Sequence, residues 1–297
     1  VPNQGVKSHC EKQNERPLER HHDTGRPSKR ARRLMPMKLT AEQVEQYHRE
    51  GYLFLPDYFA SADMGQLLRV ARDDEVLASI ANDRLDREGR TSRLSLRHEL
   101  PDDAYAAYTR SCAIVEPMEQ LMGCEVWHYH HKMMMKEPHT GGAWEWHQDF
   151  GYWHSNFLYP DMASCLIAVD RAHKANGCLQ VLKGSHRMGR LEHGRAGDQT
   201  GADPDRIAAV EDRFDRVYCE MTPGTVLFFH SNLLHRSDAN QSPDSRWALI
   251  CCYTSSENPP FREGTKGEFS RIERWDDERV KRSLREHETR QSDVRGN

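Results

Sequence analysis

Trp144-Glu145-Trp146-His147-Gln148-Asp149-Phe150 places a histidine and a carboxylate two residues apart inside an aromatic run that reads as a β-strand. Alternate residues of a strand face the same side, so the pattern predicts His147 and Asp149 pointing together into one cavity, with Gln148 turned out. That is half a metal site. The third ligand expected is His235, in a second strand-like stretch from Thr225 to Ser237. The rest of the chain then reads as a scaffold that brings these three residues together.

Upstream of this stretch, residues 1–36 are polar and basic, interrupted by Pro17, Pro27 and Pro36, and too poor in apolar side chains to fold alone. They are expected to be a disordered extension, with Met37 as the expected biological start. Thr40 with Gln43 forms a capping box for a first helix that Gly51 ends, Tyr52 to Leu55 forms a buried strand, and Ser61 is expected to cap a second helix. The charged segment 86–102 shows no period and reads as a loop or lid, and a helix is expected over 103–121. Val126 to Met134 reads as a strand whose alternation puts His128, His130, Lys132 and Met134 on one face, lining either a pocket or a solvent-exposed edge.

Downstream, Ala163 to Val169, Cys178 to Leu182, Thr225 to Phe229 and Arg246 to Tyr253 read as strands separated by Gly, Asn and Pro turns. The polar stretch 188–215 reads as a long loop that gates substrate. Short strands between turns imply an antiparallel sandwich or barrel, mainly β with flanking helices. The expected organisation is an extension (1–36), one catalytic domain (37–260), and a charged C-terminal helix and tail (261–297) anchored by Ile272, Trp275 and Val280.

The net charge of -4 points away from a nucleic-acid binder, and no apolar run approaches a membrane span. The eight cysteines are scattered without a Cys-x-x-Cys motif and read as reduced core thiols of a cytoplasmic protein.

Two imidazoles and a carboxylate on one face of a metal leave the opposite positions open, the arrangement of non-heme Fe(II) oxygenases. Arg246 follows His235 across a turn-rich loop, so the two strands are expected to fold back on each other and bring its guanidinium to the site. A planar guanidinium holds a carboxylate through two parallel hydrogen bonds, as anchoring a 2-oxoacid cosubstrate would require. Lys132 and Lys136 are the next basic residues in line for that task. His186, His154 and His230 read as structural, and Trp153 is the one aromatic expected to face substrate.

These residues, with Asn176-Gly177-Cys178-Leu179, Gly184-Ser185-His186, His235-Arg236-Ser237, Asn240, Ser242 and Pro243, resemble the phytanoyl-CoA dioxygenase family over most of residues 40–258. The resemblance implies a double-stranded β-helix, a cupin-like jelly roll. It also implies Fe(II) on His147, Asp149 and His235, and 2-oxoglutarate on Arg246 assisted by Ser237, with O2 as the second cosubstrate. The run 147–154 is also similar to that of the ectoine hydroxylases within the family. Where those carry a glutamine that contacts 2-oxoglutarate, this chain has His130, which makes His130 the corresponding contact and speaks against ectoine as substrate. The activity expected is hydroxylation of an unactivated C–H bond in a small-molecule or acyl substrate. The alternatives are a cupin-like metalloenzyme without a 2-oxoacid, or a binding module.

Overall fold

Order begins where the sequence supplies a cap. In the computed structural model, which describes residues 38–262, 264 and 269–295, Thr40 accepts from the Gln43 amide and the Gln43 side chain accepts from Thr40 in return. This starts α1 (Ala41–Glu50), and Gly51, left-handed at φ 84°, ends it. The expectations for residues 1–36 and for Met37 lie outside the described residues.

The elements that follow are β1 (Tyr52–Leu55), α2 (Ser61–Arg72), α3 (Glu75–Ser79), β2 (Ala81–Leu85), β3 (Thr91–Arg97), α4 (Ala104–Arg110), α5 (Cys112–Met122), β4 (Val126–Lys136), β5 (Trp144–His147) and α6 (Asp149–Trp153). Next come β6 (Met162–Ala168), β7 (Leu179–Leu182), β8 (His193–Ala196), β9 (Gln199–Ala202), α7 (Pro204–Glu211), β10 (Arg216–Cys219), β11 (Val226–His230), β12 (His235–Ser237), β13 (Arg246–Ser255) and α8 (Asp277–Arg295).

Two antiparallel sheets carry the fold. The larger runs β1-β11-β6-β13-β4-β3-β2 and the smaller β10-β7-β12-β5, the jelly roll that the resemblance implied. Alternation along each large-sheet strand sorts side chains into two cores. Met133, Met135, Cys165, Ile167, Leu249 and Cys251 pack with residues of the helices. Met134, Leu166, Ala168, Ala248, Ile250 and Cys252 pack with Leu179 and Val181 of the small sheet. A third cluster, with Trp146, Leu182, Ile207 and Val210, joins the other face of the small sheet to α7. Trp275, Val280 and Leu284 join the helix-side core, so α8 is anchored by buried side chains.

Several local readings change. Segment 86–102 contains β3, held in the sheet by β2 and β4; its alternation was hidden because both strands near the edge carry charged outward residues. The stretch 103–121 is two helices, broken at Ser111, which caps the second. Residues 188–215 form the β8–β9 hairpin and α7 rather than a loop. Ser61 does not cap α2; its hydroxyl donates to the Pro223 carbonyl 3.2 Å away. In β4 the register against β13 slips between Cys252 and Tyr253, opposite Tyr129. Beyond that bulge, alternation is offset by one residue. His128 therefore bonds His131 on the helix side at 3.2 Å instead of sharing a face with His130, and all three histidines are buried rather than solvent-facing.

Candidate metal and oxoacid site

The two histidines of the candidate metal site come from the small sheet and its carboxylate from the helix that follows β5. β5 and β12 pair so that His147 and His235 are direct cross-strand partners, with ring centroids 4.0 Å apart. The strand ends at His147, not at Phe150, and Asp149 opens α6. Gln148 is still extended (φ -109°, ψ 137°), so Asp149 projects to the same side as His147 although it is helical. Asp149 Oδ1 lies 4.0 Å from His147 Nε2 and 3.9 Å from His235 Nε2. Among the described residues this is the one group of three or more His, Cys, Asp or Glu whose ligand atoms all fall within 4.8 Å.

Hydrogen bonds aim the three donors. His147 Nδ1 donates to the Glu145 carbonyl at 2.7 Å and His235 Nδ1 to the Leu233 carbonyl at 2.9 Å. A carbonyl can only accept, so each Nδ1 carries the proton and each Nε2 keeps its lone pair for the cavity. Burial, then the neighbouring His235, pushes His147 well below the usual histidine range; burial also lowers His235, against the pull of Asp149. Neutral imidazole is the ligating form. Asp149 Oδ2 accepts from Ser164 Oγ at 2.7 Å, leaving Oδ1 for a metal. Ser164 sits on β6 of the opposite sheet, and nothing in its local sequence signals this contact. The donor set thus fits a divalent iron with open positions.

Gln148 points away from the metal cavity but into the protein. Its amide donates to the carbonyls of Gly189 (2.7 Å) and Asn232 (2.9 Å), and its Oε1 accepts from the Leu191 amide at 2.7 Å. Its backbone N–H donates to His193 Nε2 at 3.0 Å. A Cβ on Gly151 would meet the His193 ring at 2.2 Å, so the β8 strand lies directly on α6.

Arg246 reaches the site from the large sheet. β12 and β13 do not pair, contrary to the folding-back expected from the sequence; β13 lies between β4 and β6, and the two sheets face each other across the cavity. Arg246 is 4% exposed. Its guanidinium has neither a carboxylate nor a hydrogen-bond acceptor among the described residues, and Nε is buried without a partner. Burial lowers it from 12.5 to about 10. Its cross-strand neighbour Lys136 is wholly buried, donates to Ser237 Oγ at 2.9 Å and to the Asp238 carbonyl, and is pushed well below the usual lysine range by burial and then by Arg246. Ser237, two residues after His235 on β12, shares its face.

The cavity encloses about 40 Å³ and is lined by Lys132, Trp144, His147, His235, Arg236, Ser237 and Arg246 with apolar neighbours. His130 and Trp153 stand outside that lining. Their rings meet edge to face at 5.5 Å, and both pack on Tyr129. His154 and His186 hydrogen-bond backbone carbonyls, and His230 accepts from the Asn232 amide.

Residues 47–248 match the family model described as phytanoyl-CoA dioxygenase (PhyH). The chain is 30% identical to an L-proline trans-4-hydroxylase of Streptomyces griseoviridis over 233 residues, covering 72% of this chain and 86% of the relative. It is 26% identical to an ectoine dioxygenase of Bordetella parapertussis over 237 residues, covering 74% and 77%. In three dimensions it resembles EctD from S. alaskensis, solved with 2-oxoglutarate and 5-hydroxyectoine, at a TM-score of 0.68 and 22% identity, covering 81% and 88% of the two chains. Fold and sequence agree: the chain belongs to the phytanoyl-CoA dioxygenase family and is an Fe(II)- and 2-oxoglutarate-dependent dioxygenase.

Proposed function

We propose that His147, Asp149 and His235 hold the Fe(II), that Arg246 holds the distal carboxylate of 2-oxoglutarate with Ser237 and Lys136 beside it, and that the enzyme hydroxylates a C–H bond of a small-molecule or acyl substrate. The observation that carries this is Arg246, a buried guanidinium with no protein counter-charge among the described residues. Such a group is costly unless a ligand supplies the missing anion. That cost argues against a metalloenzyme working without an oxoacid.

Bound at the triad, iron with 2-oxoglutarate supplies the oxidising chemistry, consuming O2 and releasing succinate and CO2. The protein's part is positional. The two Nδ1–H bonds hold both imidazoles in their ligating tautomer, and Ser164 fixes the carboxylate. A retained Asp149 occupies the position a halide would need, which favours hydroxylation over halogenation. Leu166, Leu179 and Ile250 keep the cavity apolar between the sheets. No described helix is long and apolar enough to cross a membrane, and the seven described cysteines are free, which suits a cytoplasmic enzyme.

The test is anaerobic titration of 2-oxoglutarate into Fe(II)-loaded protein, following the charge-transfer absorption of the chelated keto acid, then admission of O2 and measurement of succinate. A saturable band and succinate formation are expected. Neither one appearing would overturn the reading.

A further inference from the structure

Lys132 is a cation in this cavity that the roles above leave unused. It faces the space between the sheets from β4, across from Ile250 of β13 and Leu96 of β3, and lines the cavity with Met134, His147 and His235. It makes no hydrogen bond or ion pair among the described residues. The other charged groups are already engaged. Asp149 is held by Ser164, Lys136 by Ser237 and the Asp238 carbonyl, and Arg236, which also borders the cavity, is paired with Asp238 and lies over the Trp146 ring.

The charges decide what is missing. With iron and cosubstrate in place, the two charges of the metal and that of Arg246 are matched by Asp149 and a dianionic 2-oxoacid. Lys132 then remains as a positive charge, its stem among apolar side chains, facing the volume a substrate would enter. An ammonium so placed favours an anionic ligand and disfavours a cationic or purely apolar one.

We propose that Lys132 is a specificity-determining residue that binds an anionic group, a carboxylate, of the substrate, so that the enzyme acts on a carboxylic acid. This deepens the reading above and rests on it: if Arg246 does not take the cosubstrate, the charge argument fails with it.

The experiment uses full-length Fe(II)·2-oxoglutarate enzyme without O2, in wild type, Lys132→Met and Lys132→Arg. The probes are acetate, benzoate and L-proline, each paired with its carboxamide. Saturable perturbation of the charge-transfer band reports binding near the metal, and succinate formed after O2 is admitted reports coupling. At least one acid is expected to bind the wild type about tenfold or more tighter than its amide, an advantage of roughly 1.4 kcal/mol. That preference should disappear in Lys132→Met and persist in Lys132→Arg. The 2-oxoglutarate dissociation constant should stay within about twofold in all three proteins, less than about 0.5 kcal/mol.

Three results would overturn the proposal: acids and amides binding alike to the wild type, no acid perturbing the band, or Lys132→Met weakening 2-oxoglutarate itself by about tenfold. The last would show that Lys132 serves the cosubstrate. Failure of the underlying reading looks different, because Arg246→Met would then leave the 2-oxoglutarate dissociation constant unchanged before any probe is added.

Discussion

Replacing Arg246 with methionine should separate what the fold requires from what the ligand requires. The guanidinium is buried and lowered from 12.5 to about 10. At about 1.4 kcal/mol per pKa step, the fold disfavours its charged form by about 3 kcal/mol. The sign follows from linkage: a cation whose folded pKa is depressed costs stability at every pH below that value, so the full cost is present at neutral pH. A methionine of similar length removes the charge and keeps the packing, so ligand-free Arg246→Met should be as stable as wild type or up to about 3 kcal/mol more stable. For a chain of this size that is about 2–4 °C of melting temperature per kcal/mol. Cosubstrate binding should move the other way. Losing a buried, charge-assisted pair costs about 2–5 kcal/mol, or roughly thirtyfold to several-thousandfold in the 2-oxoglutarate dissociation constant. Arg246→Lys keeps a point charge without the planar fork and should fall between. The assay is thermal unfolding of the metal-free proteins, then anaerobic melts of the Fe(II) forms with and without 2-oxoglutarate. Wild type should gain about 2.7 kcal/mol at a hundredfold excess over its dissociation constant, and Arg246→Met almost nothing. A metal-free variant that is several kcal/mol less stable, yet keeps its response to 2-oxoglutarate, would refute the reasoning and make Arg246 a structural residue.

Alanine at His147 or at His235 should each abolish stoichiometric iron binding, measured by metal content after anaerobic reconstitution and desalting; full iron in either variant would contradict the ligand assignment. Ser164→Ala frees the second oxygen of Asp149 and should lower iron affinity about tenfold to a hundredfold with little change in melting temperature, and an unchanged affinity would show that Ser164 does not orient the ligand. Asp74 lies below the usual carboxylate value of 3.8, at about 2: burial opposes this, but hydrogen bonds from His287, the Leu77 amide and Tyr105 outweigh it. Asp74→Asn should therefore cost about 1–2 kcal/mol at pH 7, a difference that persists above pH 3.8 and closes as pH falls towards 2; a pH-independent difference in denaturant midpoints would rule out the ionised carboxylate as its source.

The candidate triad was legible in the sequence as a cluster because its spacing rests on short-range geometry. His147 and Asp149 share a side through one extended residue, and that relation survives the end of the strand at His147. The Thr40 capping box, the left-handed Gly51 and the apolar runs of β6 and β13 are equally local. What the sequence could not specify was which strand joins which sheet. Period-two alternation tells which residues share a face, yet it is silent on the partner facing them, because strand pairing is set by packing across the whole domain. Arg246 was expected beside His235 on a paired strand and instead meets it from the opposite sheet. The bulge opposite Tyr129 moved His128 to the helix side. Ser164 became the partner of Asp149 through contact between two sheets, and Lys132 and Lys136 acquired their meaning only when the surrounding charges had positions. Residue type and spacing chose the chemistry; closure of the two sheets decided which side chains surround it, since burial and charge balance are properties of the assembled cavity.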